Sequence, residues 1–211
     1  MKDINKDILE EKIFDLTRQY YQQVHLKKDF KPGITKIGYA GRVFDQDDMI
    51  NGIQSILDYW LTSGPFTQKF ETLMKEYFNC SKALLVNSGS SANLLMLATL
   101  HSNNVEGKMR DGDEVITPAV TFPTTLTPIV QNNFIPVFVD CNPGEYNIDP
   151  DKIENAITDK TRCIFVPHTV GIPSDMDAIS DIAKKYNLFV LEDGCDCLGA
   201  KWNGQLMGTF G

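Results

Sequence analysis

Three segments carry residue types whose spacing could do chemistry, and each follows a short apolar run. In Asn87-Ser88-Gly89-Ser90-Ser91-Ala92-Asn93, after Ala83 to Val86, small residues let the backbone close on an anion. A helix opening there would add free N–H groups and a favourable dipole, making a phosphate cup. The same segment also reads as an ordinary capped helix start. No Lys follows it, so it is not a P-loop, and the Gly-x-Gly-x-x-Gly turn of dinucleotide-binding domains is missing. In Pro118-Ala119-Val120-Thr121-Phe122-Pro123-Thr124 an aromatic ring stands where a strand should end, either a face for a flat ligand or a core Phe. Glu192-Asp193-Gly194-Cys195-Asp196 puts three carboxylates after Leu188 to Leu191. An acidic pair is usually solvated surface, but so apolar a strand should end in a site.

One ligand uses all three segments, a pyridoxal phosphate ring. Its phosphate needs N–H donors and its face needs an aromatic. Its pyridine nitrogen needs a carboxylate that keeps it protonated, so that the ring can act as an electron sink. The ion pair in turn keeps the carboxylate charged. Cys195 and Cys197 offer a metal reading, yet a Cys-x-Cys pair lacks the second pair that zinc or iron–sulfur ligation needs. No metal ligand is assigned, and the five cysteines read as core fillers. His168 follows a strand, while His25 and His101 fall on expected helices; none is given a catalytic role.

These segments need a scaffold that brings them to one edge. Ile4, Ile8, Ile13, Leu16, Tyr20 and Val24 recur at steps of three to five and predict an amphipathic N-terminal helix. Pro32, Gly33, Gly38 and Gly41 make Lys27 to Phe44 an extended loop. A second helix opens near Asp45 and runs to about Trp60, where Thr62-Ser63-Gly64-Pro65 ends it, and a third covers Phe66 to Phe78. From there strands and helices alternate. The strands are Ala83 to Val86, Glu114 to Thr117, Ile135 to Asp140, Cys163 to Pro167 and Leu188 to Leu191. The helices between them are Ser90 to His101, Thr124 to Asn132, Pro150 to Ile157 and Ser174 to Tyr186, with Asp149 and Ser174 placed as N-caps. This pattern gives a parallel, helix-covered α/β sheet. Gly199 to Trp202, turning at Asn203-Gly204, reads as a hairpin. Tyr20, Tyr21, Trp60, Phe66 and Phe70 read as packed aromatics of amphipathic helices.

At 211 residues, with 42% hydrophobic and 10% aromatic content, the chain can bury a core. A balance of 20 Lys and Arg against 28 Asp and Glu gives a net charge of −8, which argues against nucleic acid or an anionic membrane surface as partner. Any anionic ligand must be held locally. No apolar run approaches the roughly 18 to 20 residues of a membrane span. Met1 to Asp7 is charged and polar, unlike a secretory leader, and the scattered cysteines suit a reducing cytoplasm.

From about Ile37 to Gly211 the sequence resembles the DegT/DnrJ/EryC1/StrS family of sugar aminotransferases and dehydratases. The resemblance rests on Trp60-Leu61-Thr62-Ser63-Gly64, Asn87 to Asn93, Thr121-Phe122-Pro123-Thr124-Thr125, His168-Thr169-Val170-Gly171 and Glu192 to Gly199. It implies the three-layer α/β large domain of type I aminotransferases, the fold of pyridoxal-phosphate-dependent transferases, with a mainly parallel sheet. Residues 1–44 would be a helical arm and loop, and 45–211 part of the cofactor-binding large domain, with its C-terminal part and the small domain absent. A sheet so cut would leave edges and apolar surface uncovered, so this piece alone is expected to aggregate or need a partner. By the resemblance, Gly89, Ser90 and Ser91 would hold the cofactor phosphate and Phe122 would stack on the ring. Asp193 would pair with the pyridine nitrogen, and Asp196 would lie near the ring hydroxyl.

Cys195-Asp196-Cys197-Leu198-Gly199 and Met207 to Gly211 look most like the CDP-4-keto-6-deoxyglucose 3-dehydratases of lipopolysaccharide and dideoxysugar pathways. Ordinary sugar aminotransferases tend to carry Gln or His where Asp196 stands. In those dehydratases a His replaces the Schiff-base Lys, pyridoxamine phosphate is the working cofactor, and the C3 hydroxyl of a nucleotide-linked keto sugar is expelled. A partner reductase then supplies electrons through a [2Fe–2S] centre whose cysteines lie in the later half of the chain. In the aminotransferases a Lys moves the proton and the amine stays on the sugar. Both place the decisive residue beyond Gly211, so no catalytic residue is expected within this chain. The resemblance also implies a homodimer with sites at its interface. If the chain ends at Gly211, a catalytically silent binding or dimerisation piece is a third reading; a nicotinamide-binding domain is disfavoured by the missing glycine fingerprint.

Overall fold

The computed structural model describes residues 5–26, 29–38, 41–141 and 144–211. Ile4 and Lys27, which the expected first helix and loop include, lie outside the described residues. The chain divides into two compact units, 1–69 and 70–211.

In the first unit, helix α1 (Lys6–Val24) packs on α2 (Gln46–Leu57). Asn5 caps α1 by accepting from the Asp7 amide, and Asp45 closes a capping box with Asp48 at the start of α2. Tyr21 donates to the Phe44 carbonyl at 3.2 Å, and its ring sits edge-on to that of Phe44. Most of the aromatics expected to be packed are instead open to solvent: Tyr20 and Trp60 lie more than half exposed, and Phe66 and Phe70 are exposed as well. A helix buries only a face that meets a neighbour; α3, which carries Phe66 and Phe70, has no buried residue, and Trp60 lies beyond the end of α2.

Helix α3 (Pro65–Phe78) leads into the second unit. There, four parallel strands, β1 (Glu114–Pro118), β2 (Ile135–Val139), β3 (Thr161–Pro167) and β4 (Phe189–Asp193), form a sheet in the order β2-β1-β3-β4. The connecting helices are α4 (Gly89–Thr99), α5 (Pro123–Gln131), α6 (Pro150–Ala156) and α7 (Met176–Tyr186). The period of two along each strand feeds two separate cores. Val115, Cys163 and Phe165 cluster with Leu97 and Ile129 of α4 and α5. Ile116, Ile164 and Val166 cluster with Ile153 of α6 and Met176 and Ile179 of α7. With both faces covered, the strands read as continuous apolar runs, and the unit has three layers. A hairpin of β5 (Lys201–Trp202) and β6 (Gln205–Leu206) turns at Asn203 and Gly204, whose φ values of 46° and 88° suit the Asn-Gly pair.

Three further expectations change. Ala83 to Val86 joins no strand ladder among the described residues; Leu84 and Leu85 are exposed, and the Leu85 amide donates to Glu71 Oε1 at 2.9 Å. An apolar run becomes a strand only when a neighbour takes its backbone groups. Ser174 is not the cap of α7. Asp175 is, accepting from the Ala178 amide at 3.1 Å, because the Ser174 hydroxyl donates to the Pro167 carbonyl and its amide to His168. Finally, β4 runs on through Glu192 and Asp193 instead of ending at Leu191, since Val166 and Pro167 of β3 pair with them. No helix among the described residues is long and apolar enough to cross a membrane.

Candidate active site

Strand β1 lies between β2 and β3, so the winding reverses there, and the crevice beyond the carboxyl ends of β1 and β3 is where such sheets bind ligands. Phe122 follows β1, His168 follows β3 and Asp193 ends β4, all at this edge. The hydroxyl oxygens of Thr117, Thr121 and Thr169, in and after β1 and β3, are buried with no partner among the described residues.

Ser88 caps α4, its hydroxyl accepting from the Ser91 amide at 3.2 Å, and Ser91 Oγ donates to Asn87 Oδ1 at 2.6 Å. The Gly89 and Ser90 amides, in the first turn where a helix leaves its donors free, make no hydrogen bond among the described residues. A Cβ on Gly89 would sit 3.3 Å from Cys195 Sγ, so a glycine here lets the cup and the loop after β4 approach closely.

That loop begins at Asp193. Its Oδ2 accepts from Asn93 Nδ2 at 2.7 Å and Thr125 Oγ1 at 3.0 Å, and its Oδ1 accepts from the Cys195 amide at 3.2 Å. A carboxylate offers about four lone-pair positions, so Asp193 is not saturated. Phe122, just ahead of α5, is 69% exposed, which removes the core-ring reading. Asp196 is exposed, and its backbone carbonyl lies 2.9 Å from where a Cβ on Gly171 would be. Gly171 has φ +81°, in a turn braced by Asn147, which accepts from the Thr169 amide and donates to the Ile172 carbonyl. Cys163 and Cys197 are core residues, but Cys80 and Cys195 are exposed, because the segments carrying them lie outside both cores. Burial and the charges of Asp193 and Asp196 push the Cys195 thiol up, keeping it protonated.

Glu192 precedes Asp193 and points to the other face. With its side chain 3% exposed, it accepts from His168 Nε2 at 3.1 Å and Gly208 N at 2.7 Å through Oε2, and from Phe210 N at 2.7 Å and Gly211 N at 2.9 Å through Oε1. Burial alone would raise this carboxyl, but His168 and the three amides outweigh it and hold it below the usual carboxylate range. His168 Nδ1 accepts from the Ser174 amide, which assigns the ring proton to Nε2, the tautomer that donates to Glu192. His168 therefore braces the sheet edge. Among the residues that sequence reasoning left without a role, Asn93 and Thr125 now stand against Asp193. Asn93 lies one helical turn before the buried Leu97, and a polar residue on that stripe is the signal that marks it.

A family model described as the DegT/DnrJ/EryC1/StrS aminotransferase family matches residues 44–211. This chain belongs to that family. Its three-layer second unit has the type I aminotransferase fold. A dTDP-4-dehydro-2,6-dideoxy-D-glucose 3-dehydratase of Saccharopolyspora spinosa is 44% identical over 202 residues, covering 95% of this chain and 44% of that protein. The lipopolysaccharide biosynthesis protein RfbH of Salmonella typhimurium is 42% identical over 204 residues, covering 96% and 47%. The solved structure of GDP-4-keto-6-deoxy-D-mannose-3-dehydratase of E. coli with bound hydrated PLP matches with a TM-score of 0.74 at 36% identity, over 82% of this chain and 44% of that one. This DegT/DnrJ/EryC1/StrS chain thus spans about half the length of the curated relatives it matches.

Proposed function

We propose that this chain is the cofactor-binding part of a pyridoxal- or pyridoxamine-phosphate-dependent enzyme that removes the C3 hydroxyl from a nucleotide-linked 4-keto-6-deoxyhexose. A CDP-linked sugar on the way to deoxysugars or lipopolysaccharide is the substrate of choice. Residues 45–211 belong to its large domain and 1–44 to an N-terminal arm. The names of its relatives support the reaction class, and the chain's own groups fit the cofactor. The free Gly89 and Ser90 amides and the Ser90 hydroxyl suit a phosphate at the N-terminus of α4, and Ser91 would join them by turning its hydroxyl away from Asn87. The exposed ring of Phe122 offers a stacking face, and Asp196 would lie near the ring hydroxyl.

The observation that carries the reading is Asp193, a half-buried carboxylate at a strand end with acceptor capacity left over, close to free helix amides. When bound, the cofactor supplies a protonated aromatic ring that acts as an electron sink during proton removal and loss of the C3 hydroxyl. The chain's residues then have distinct tasks. The cup anchors the phosphate, Phe122 sets the plane of the ring, and the Asp193 carboxylate keeps a proton on the ring nitrogen.

A sugar aminotransferase is the second reading, favoured by the family's own description. Asp196 within Cys195-Asp196-Cys197-Leu198-Gly199 favours the dehydratase, and His or Lys at the Schiff-base position of the full-length protein separates the two. A homodimer is part of the proposal, with the exposed apolar residues Leu16, Tyr20 and Val24 of α1 as available surface. A reductase partner follows only from the dehydratase reading. The [2Fe–2S] centre, expected in the full-length protein only, is not borne out by the relatives or by this chain's residues. Five free cysteines suit a reducing compartment such as the cytoplasm.

The test adds pyridoxamine phosphate to the full-length protein and follows absorbance. Asp193→Asn should weaken the change. A variant that binds and reacts like the parent would remove Asp193 from the role assigned to it.

A further inference from the structure

We propose that Asn93 and Thr125 are positioning residues that aim and hold the Asp193 carboxylate for the cofactor's ring nitrogen. The proposal rests on the functional reading above and extends it to two side chains that need not touch the cofactor. Asn93 and Thr125 are 3% and 0% exposed, and both give a proton to the same oxygen, Asp193 Oδ2. Two buried donors on one oxygen fix the rotation of the carboxylate. The Cys195 amide takes one position on Oδ1, and the remaining acceptor capacity is what a protonated ring nitrogen requires.

The orientation of the Asn93 amide is settled by its partners. Besides Asp193, Asn93 Nδ2 donates to the Thr124 carbonyl at 3.1 Å. Both partners only accept, so the nitrogen, not the oxygen, faces them. The Thr124 carbonyl is available for a reason visible in the sequence: the residue four positions on is Pro128, inside α5, and it has no N–H to give. A proline that would ordinarily weaken a helix here frees the acceptor that locks Asn93. The placement also connects the three parts of the cradle. Asn93 lies one turn past the Gly89 cup in α4, Thr125 lies in the first turn of α5 just after Phe122, and Asp193 ends β4. The groups proposed for phosphate, ring face and ring nitrogen are thereby referred to one carboxylate oxygen.

A purely structural role, tying α4 and α5 to β4, predicts a different outcome from a positioning role. The two separate in the full-length apoenzyme titrated with pyridoxamine phosphate and with its 1-deaza analogue, in which C–H replaces the ring nitrogen, both followed by calorimetry. Asn93→Ala and Thr125→Val should weaken pyridoxamine phosphate by about tenfold or more, the size of one hydrogen bond to a charged group. The affinity of each variant for the deaza analogue should stay at the parent's value, and Thr125→Ser, which keeps the hydroxyl, should recover the parent's preference for the nitrogen-containing ring. Equal weakening of both ligands would reduce the pair to a structural tie and overturn the proposal, as would unchanged binding of pyridoxamine phosphate. A parent that binds neither ligand overturns the functional reading itself, an outcome visible before any variant is compared.

Discussion

Glu192 and Asp193 are neighbours in one strand with the same functional group, and alternation sends them to opposite faces of the sheet. On the α6 and α7 side, the Glu192 carboxylate meets His168 and three backbone amides from the Gly208 to Gly211 turn. Its acceptor positions are filled and water is excluded, so it holds the turn and can bind nothing more. On the α4 and α5 side, Asp193 meets three donors, remains half-buried, and lies by a helix start with unclaimed amides. What separates the structural acid from the candidate functional one is therefore how many acceptor positions the protein has already filled. The same reasoning sorts His168, whose two ring nitrogens are both engaged, from a histidine free to move protons.

Replacing each carboxylate by its amide should break this contrast in opposite directions. Glu192→Gln turns an NH2 group toward N–H donors whichever way it is oriented. It should cost about 2 to 3 kcal/mol of stability, the scale for losing a hydrogen bond to a charged group, as read by denaturant unfolding. The acid limb sharpens the point. The folded-state carboxyl is held below its ordinary value of 4.5, so its contribution is complete above that pH and is lost as the pH falls through the depressed value. The stability gap between parent and Glu192→Gln should therefore narrow on acidification; a constant gap would mean that charge is not what Glu192 supplies. Asp193→Asn should instead cost mainly binding, about 2 kcal/mol or roughly thirtyfold in pyridoxamine phosphate affinity by titration, and lower the melting temperature less than Glu192→Gln does, because one orientation keeps its oxygen on Asn93 and Thr125 and faces its NH2 to the Cys195 amide alone. Gly171→Ala should have the smallest effect, about 1 to 2 kcal/mol of stability, because its φ of +81° strains any side chain and the new Cβ meets the Asp196 carbonyl. If the Asp196 loop belongs to the site, cofactor affinity should fall with it; a loss of stability alone would detach that turn from the cradle.

Elements whose signals are local were legible in advance. The helix start within Asn87 to Asn93, Asp149 ahead of Pro150, the Asn203-Gly204 turn and the alternation of apolar strands with helices all depend on residues a few positions apart. Ala83 to Val86 was misread because a strand is defined by its neighbour, which composition does not reveal. Ser174 was misread because its hydroxyl had a competing partner in the Pro167 carbonyl. The sequence allows Phe122 either a core or a surface place, because its exposure depends on how α5 leaves the sheet edge.

The sequence by itself determined the parts: a phosphate-suited helix start, an aromatic ring, strand-end acids and the family to which they belong. Tertiary structure decided which acid is spent on the scaffold and which remains open, and it brought Asn93 and Thr125, 100 and 68 residues away in the chain, onto Asp193. The physical reason is that helix and turn signals act between near neighbours, whereas filling the lone pairs of a buried carboxylate requires donors that only the folded sheet and its two helical layers can deliver.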